Sequence, residues 1–254
     1  MKKEQWKKLA KVAPCAQLLA KDNILYDTKE KQMRAVRRDW AKIKLICNPS
    51  KDVQLEAVKQ NAEAIQHIPN PDKEVQLEAV KQDGRAIKFI PSPDKEVQLE
   101  AVRQSGWAIK YIPNPDKDVQ IEAVRQSGFA IQYIPNPDKD VQMEAVKQDA
   151  SAIQYIRNPD KDAQLEAVRQ NGKVIRFICK PDKDAQLKAI KQDGDAIQYI
   201  PNPDKEAIVC YLLSIPEAAQ LLQNPSYDLK WEEEDEERTM EKAGENLSIC
   251  TSAD

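Results

Sequence analysis

The sequence predicts an all-α solenoid of about nine stacked two-helix repeats, each 22 residues long. Three observations predict it. The segment PDKEVQLEAVKQDGRAIKFIPS (71–92) recurs seven times without a gap, so Val53, Val75, Val97, Val119, Val141, Ala163 and Ala185 share one slot. A fixed period of this length marks units that bury their apolar faces only against their neighbours. Inside each unit the apolar residues fall at helical spacing, and proline pairs punctuate the chain between units.

Counting from the leading proline, units start at Pro49, Pro71, Pro93, Pro115, Pro137, Pro159 and Pro181. A degraded unit precedes them (27–48, with Gln32, Val36, Ile43 and Ile46 in register) and another follows (203–224, with Pro203, Asp204 and Leu212). Terminal units that depart from the consensus are expected, because they cover the ends of the core. Asp at position 2 reads as the N-cap of a first helix. Position 13 (Asn, Asp or Ser), followed in five of seven units by Gly, ends that helix and can cap the next; Gly is expected to supply a left-handed stop there. The second helix is predicted over roughly positions 14–20. Pro-Asn-Pro then turns the chain back.

At 100° per residue, positions 5, 7, 9 and 10 form the apolar arc of the first helix, and positions 16, 17 and 20 form the core stripe of the second. Position 6 lies inside the arc and is always glutamine: Gln32, Gln54, Gln76, Gln98, Gln120, Gln142, Gln164 and Gln186. Short helices leave many backbone groups unpaired. The ladder is therefore expected to be buried and to hydrogen-bond backbone between helices, rather than to read a ligand. The aromatic or histidine of position 19 flanks the second stripe, and positions 15 and 18 point away.

The flanks differ from the array. Residues 1–26 (Trp6, Leu9, Ala10 and Ala13 at helical spacing) predict an N-terminal helical cap, 27–224 the solenoid, and 225–254, with WEEEDEER, an acidic and largely disordered tail. Net charge is −3 overall but is polarised: +8 over 1–48, −2 over 49–202 and −9 over 203–254. Opposite ends of opposite sign predict weak head-to-tail self-association. No apolar run suits a signal peptide or membrane span, and the five scattered cysteines lack any CxxC pair. A soluble, cytoplasmic protein with reduced thiols is expected, with no membrane partner.

The units EVQLEAVKQDGRAIKFI and DVQIEAVRQSGFAIQYI resemble a family of tandem bacterial and phage repeats known only as a domain of unknown function, whose units read roughly EVVLAAVKQNGxALxYA. The resemblance covers 27–224 and is specific in the VKQ-x-G core and its spacing. The unit also looks like the short helical repeats of leucine-rich variant and HEAT arrays. The family carries no assigned activity, so the resemblance implies a fold and a microbial or viral setting.

The residues do not point to catalysis, a metal or a cofactor. The single histidine, His67, fills an aromatic slot, the glycines are helix stops, and no ligand spacing for a metal occurs. Acids at positions 4 and 8 are expected to pair on the helix surface with the basic position 11. That basic ladder (Lys59, Lys81, Arg103, Arg125, Lys147, Arg169, Lys191), with the N-terminal Lys2, Lys3, Lys7, Lys8 and Lys11, supports a nucleic-acid reading as the alternative, which glutamate at position 8 weakens. The leading expectation is a protein-binding solenoid, and the resemblance implies a phage or bacterial regulator or inhibitor of a protein complex. Position 15 varies on a uniform scaffold: Glu63, Arg85, Trp107, Phe129, Ser151, Lys173, Asp195. Trp107 and Phe129, with Tyr111 and Tyr133 one turn on, and with Arg85 and Lys110 beside them, are the predicted protein-binding site.

Overall fold

The computed structural model describes residues 28–216 and 218. The predicted cap (1–26) and tail (225–254) lie outside the described residues. The described chain is an all-α solenoid. Nine α-helices alternate with eight 3-10 helices, from Lys29–Arg38 and Trp40–Leu45 to Gly194–Tyr199 and Lys205–Ser214. It divides into two compact units, one up to Gln126 and one from Ser127. Within each unit, every α-helix packs on the α-helix of the next repeat, and every 3-10 helix on the next 3-10 helix.

Each repeat is built by its own local signals. In Lys95–Gln104 and Lys139–Gln148 the Asp N-cap accepts a backbone N–H two or three residues on, as when Asp94 Oδ1 accepts from Val97 at 3.0 Å. Eleven residues later position 13 is extended, with φ between −144° and −155° in the seven regular units. Its N–H still closes the α-helix, as Asp83 does on Ala79 O. Its side chain opens the next helix: Asn61, Asp83, Asp149, Asn171 and Asp193 each accept the N–H two residues on. One residue thus ends one helix and caps the other.

The second helix is 3-10, six residues over positions 14–19. A single extended residue between two helices leaves only a short segment before the next turn. Short segments favour the tighter winding. That turn is made at position 22, where Asn70, Ser92, Asn114, Asn136 and Asn202 hold φ of 49° to 52°, each following a proline. A left-handed residue after proline suits a tight reversal, and asparagine tolerates that region best among non-glycine residues.

The position-14 glycines do not supply the left-handed stop expected of them, since none of the described glycines has positive φ. They permit close approach instead. A Cβ on Gly84 would stand 2.3 Å from Ala101 O of the next repeat, and one on Gly128 2.6 Å from Ala145 O. Backbone meets backbone at that point.

The core is the six-position set Val75, Ala79, Val80, Ala86, Ile87 and Ile90 and its equivalents in the regular repeats, all buried except Ile197, which is half-buried near the end of the array. Each fully buried Val or Ile contributes about 1.5–3 kcal/mol. Position 7 departs from the expectation of burial: Leu55, Leu77, Leu99, Ile121, Met143 and Leu187 are half-buried and Leu165 is exposed. In the second unit Gln142, Gln164 and Gln186 lie deeper than the position-7 side chains beside them, because the amide is needed at the seam.

Candidate protein-binding face

Which surface is left for a partner depends on how much polar chemistry the stacking consumes. In the α-helical layer it consumes a great deal. The position-6 amide Nε2 donates to the carbonyl of its own leading proline at 2.8–3.0 Å in all seven regular units. In the second unit the same amides also reach forward: Gln142, Gln164 and Gln186 accept the N–H of Asp160, Asp182 and Asp204 through Oε1 at 2.7–2.9 Å. These three are buried; Gln98 and Gln120, expected to be buried as well, are half-buried. Gln54 Oε1 is buried without a partner.

A second glutamine, at position 12, was not singled out by sequence reasoning. In four repeats it ties the repeat to the one before it. Gln104 Oε1 accepts from Gly84 N–H at 2.7 Å, and Gln60, Gln170 and Gln192 donate to the carbonyls of Val36, Val146 and Arg169. Its invariance at a position on the rim of the helix was the available signal.

The ion pairs also run between repeats. Lys29, Lys51, Lys73, Lys95, Lys139, Lys161 and Lys183, at position 3, reach an acid at position 2 or 4 of the next repeat. Asp118 and Asp116 raise the Lys95 ammonium, and the N-cap bond from Val119, with Lys95, lowers Asp116. The expected pairing of positions 8 and 11 within one repeat holds at Arg169, whose guanidinium forks onto Glu166 at 2.8 Å. Arg169 and Gln170 together hold the Glu166 carboxyl down at about 2. Arg103 instead reaches Glu122 of the next repeat at 3.4 Å. Helix-surface spacing alone does not reveal such partners, because stacking brings the next helix as near as the next turn.

The 3-10 layer is different. At three residues per turn, positions 15 and 18 lie in line along the helix and position 19 is rotated away. Gln132 and Gln154 display this registry by donating to the carbonyls of Phe129 and Ser151. Trp107 and Lys110 therefore share a face, as do Arg85 and Lys88. In the first unit Trp107 is 42% exposed and Tyr111 39% exposed. Lys110 and Arg85 are exposed beside them. Arg85 chelates Asp83 through two bonds of 3.0 and 3.1 Å, which lowers the Asp83 carboxyl and raises the guanidinium; Tyr111 of the next repeat adds to the latter. Lys88 Nζ stands 4.5 Å from the Phe89 ring centre.

Phe129 and Tyr133 belong to the second unit and are half-buried. Phe129 meets Tyr155 of the next repeat edge-on, with ring centres 5.8 Å apart. The sequence reading places the ring of position 19 beside position 15 of the same repeat, as α-helical winding would. Phe129 pairs instead across the seam, because 3-10 winding separates the two positions within one repeat. Tyr155 thus joins Phe129 in the second unit and Lys88 joins Arg85 in the first; both occupy repeat positions already noted, 19 and 18.

His67 is exposed in the position-19 row. No three His, Cys, Asp or Glu side chains among the described residues converge to hold a metal. None of the described helices is long and apolar enough to cross a membrane. Cys47 and Cys210 lie outside any disulfide, whereas Cys179 is disulfide-bonded, against the expectation of reduced thiols throughout.

The model of one family, described as Domain of unknown function (DUF4116), matches residues 50–93, 72–115, 94–137, 116–159, 138–181 and 160–205. Each match spans about two repeats and starts one repeat after the last. No curated protein and no solved structure matches the chain. The repeat seen in the fold is the repeat the family is defined by, tiled along more than half the sequence, and the chain belongs to the DUF4116 family.

Proposed function

We propose that this protein acts by binding another protein, without catalysis, through the outward rows of its 3-10 layer. The setting is the cytoplasm of a bacterium or a phage-infected cell, where it regulates or inhibits the complex it binds. One observation carries the reading. The variable position 15 presents Trp107 at 42% exposure, in line with Lys110, with Arg85 and Tyr111 exposed on the same layer, on a scaffold whose buried positions barely change. Exposed aromatics with arginine nearby are the composition of binding hot spots. Protein is favoured over nucleic acid because cations of the α-layer ladder, Arg103 and Arg169, are engaged by Glu122 and Glu166.

The test is capture from the source cell with the full chain and with Trp107→Ala in parallel, read by quantitative mass spectrometry. A protein retained by the wild type and reduced about tenfold or more by the variant supports the reading. Equal retention by both, or retention of nucleic acid that declines steeply with salt, refutes it.

A further inference from the structure

The two units differ in the charge of this face, and the difference points to a class of partner. In the first unit the neighbouring 3-10 helices Gly84–Phe89 (GRAIKF) and Gly106–Tyr111 (GWAIKY) contain three cations and no acid. In the second unit the four equivalent helices read GFAIQY, ASAIQY, GKVIRF and GDAIQY, so glutamine replaces lysine at position 18 in all but one. Asp83 is committed to Arg85 by two side-chain bonds, and Glu63 lies on the preceding 3-10 helix. Lys88 and Lys110 occupy the same register on adjacent helices, and both are exposed. Packed helices stand roughly 8–10 Å apart. A chain extended as polyproline II has three residues per turn and advances about 3.1 Å per residue, so every third side chain faces the same way and three residues match one repeat. Trp107 lies in line with Lys110 on the same helix and offers an exposed apolar surface beside it.

We propose that the 3-10 face of the first unit takes an extended acidic segment of a partner protein, with carboxylates three residues apart on Lys88 and Lys110 and an apolar side chain on Trp107. This rests on the protein-binding reading of the same face and names the chemistry of its partner. The occupant is committed by charge complementarity. The second unit has no two neighbouring lysines at position 18, and its rows mix Lys173 and Arg176 with Asp195, so it matches an acidic segment less well.

The probe is a fluorescein-labelled synthetic peptide repeating Glu-Gly-Leu four times. Its binding to the full chain is read by anisotropy. The controls are Lys-Gly-Leu repeated likewise and a thymidine oligonucleotide. The acidic peptide is expected to bind and the basic one not. Lys88→Glu with Lys110→Glu should weaken the acidic peptide at least tenfold, at an unchanged circular dichroism spectrum. If that pair fails to fold, Lys88→Gln with Lys110→Gln should still show a severalfold loss. Equal binding by the charge-reversed protein overturns the proposal, as does a basic peptide that binds as well as the acidic one. An oligonucleotide that binds in the acidic peptide's place, and is lost with the same lysines, overturns it in favour of nucleic acid. Binding that appears only after Glu232→Gln, Glu233→Gln and Glu234→Gln would assign the face to this chain's own acidic segment and overturn the partner. If the acidic peptide fails while Trp107→Ala still releases the captured protein, the partner class is wrong and the protein-binding reading survives. If both fail, neither stands.

Discussion

The α-helical layer and the 3-10 layer use their polar side chains in opposite ways. In the α layer they repeat almost unchanged from unit to unit and are answered by the neighbouring repeat: glutamine 6 on proline carbonyls, glutamine 12 on the preceding helix, lysine 3 on the next acid. In the 3-10 layer position 15 runs through Glu, Arg, Trp, Phe, Ser, Lys and Asp, and its side chains are exposed or half-buried. The contrast teaches where the sequence was constrained by stacking and where it was free to vary. A position that must satisfy a neighbour cannot drift unless the neighbour drifts too. A position that faces outward can encode a partner.

The comparison can be broken most forcefully at the seam. Gly84→Ala puts a methyl 2.3 Å from a backbone carbonyl that has little room to retreat. It is expected to cost about 1–3 kcal/mol in urea unfolding. Ala62 and Ala150 show that the fold can open to accept a methyl at this position, so the cost is that of the shift. Gly194→Ala meets a rotatable hydroxyl, Ser214 Oγ at 3.2 Å, and should change stability by less than about 0.5 kcal/mol. Equal costs at the two glycines would remove close approach as the reason for glycine.

Gln142→Leu comes next. It adds apolar area at a buried site yet strands the Pro137 carbonyl and the Asp160 N–H, so a loss of roughly 1–3 kcal/mol is expected. The exposed Gln132→Leu should leave the melting temperature nearly unchanged. A melting temperature that holds or rises in Gln142→Leu would show that the ladder is not a staple.

The ion pair of Glu166 gives a smaller effect with a definite sign. Its carboxyl is lowered in the folded chain from 4.5 to about 2, so the stabilisation is present in full above 4.5 and is lost as pH falls through 2. Glu166→Gln should melt slightly below wild type at neutral pH, and the two curves should converge as pH falls across that interval. Curves that stay parallel down to pH 2 would mean the carboxylate gains nothing on folding.

Much of this division was legible in the sequence, and the reasons for the rest are physical. The 22-residue period, the helix starts at Pro-Asp and the six core positions follow from repeat and phase, because burial leaves a periodic mark. The 3-10 winding of the second helix leaves no such mark over six residues. Two side-chain neighbourhoods follow from it: Phe129 pairs with Tyr155 of the next repeat, and Lys88 falls in line with Arg85. The glycines were misread because a close approach and a left-handed turn both ask for the same residue. The left-handed corner proved to be the asparagine or serine after proline, at position 22. Position 7 was misread because an amphipathic wheel ranks apolar residues without knowing which seam needs an amide. The inter-repeat partners of lysine 3 depend on stacking, which no single repeat contains.

The central claim is that the α layer holds the array while position 15 of the 3-10 layer is free for recognition. Its most direct test is the melting temperature of the full chain carrying Arg85→Ser and Trp107→Ser, the serine being the residue that Ser151 already places in that row. Both side chains are exposed. The account predicts a midpoint close to wild type and well above that of Gln142→Leu. A fall as large as that caused by Gln142→Leu would mean the row is part of the scaffold, and would contradict the account.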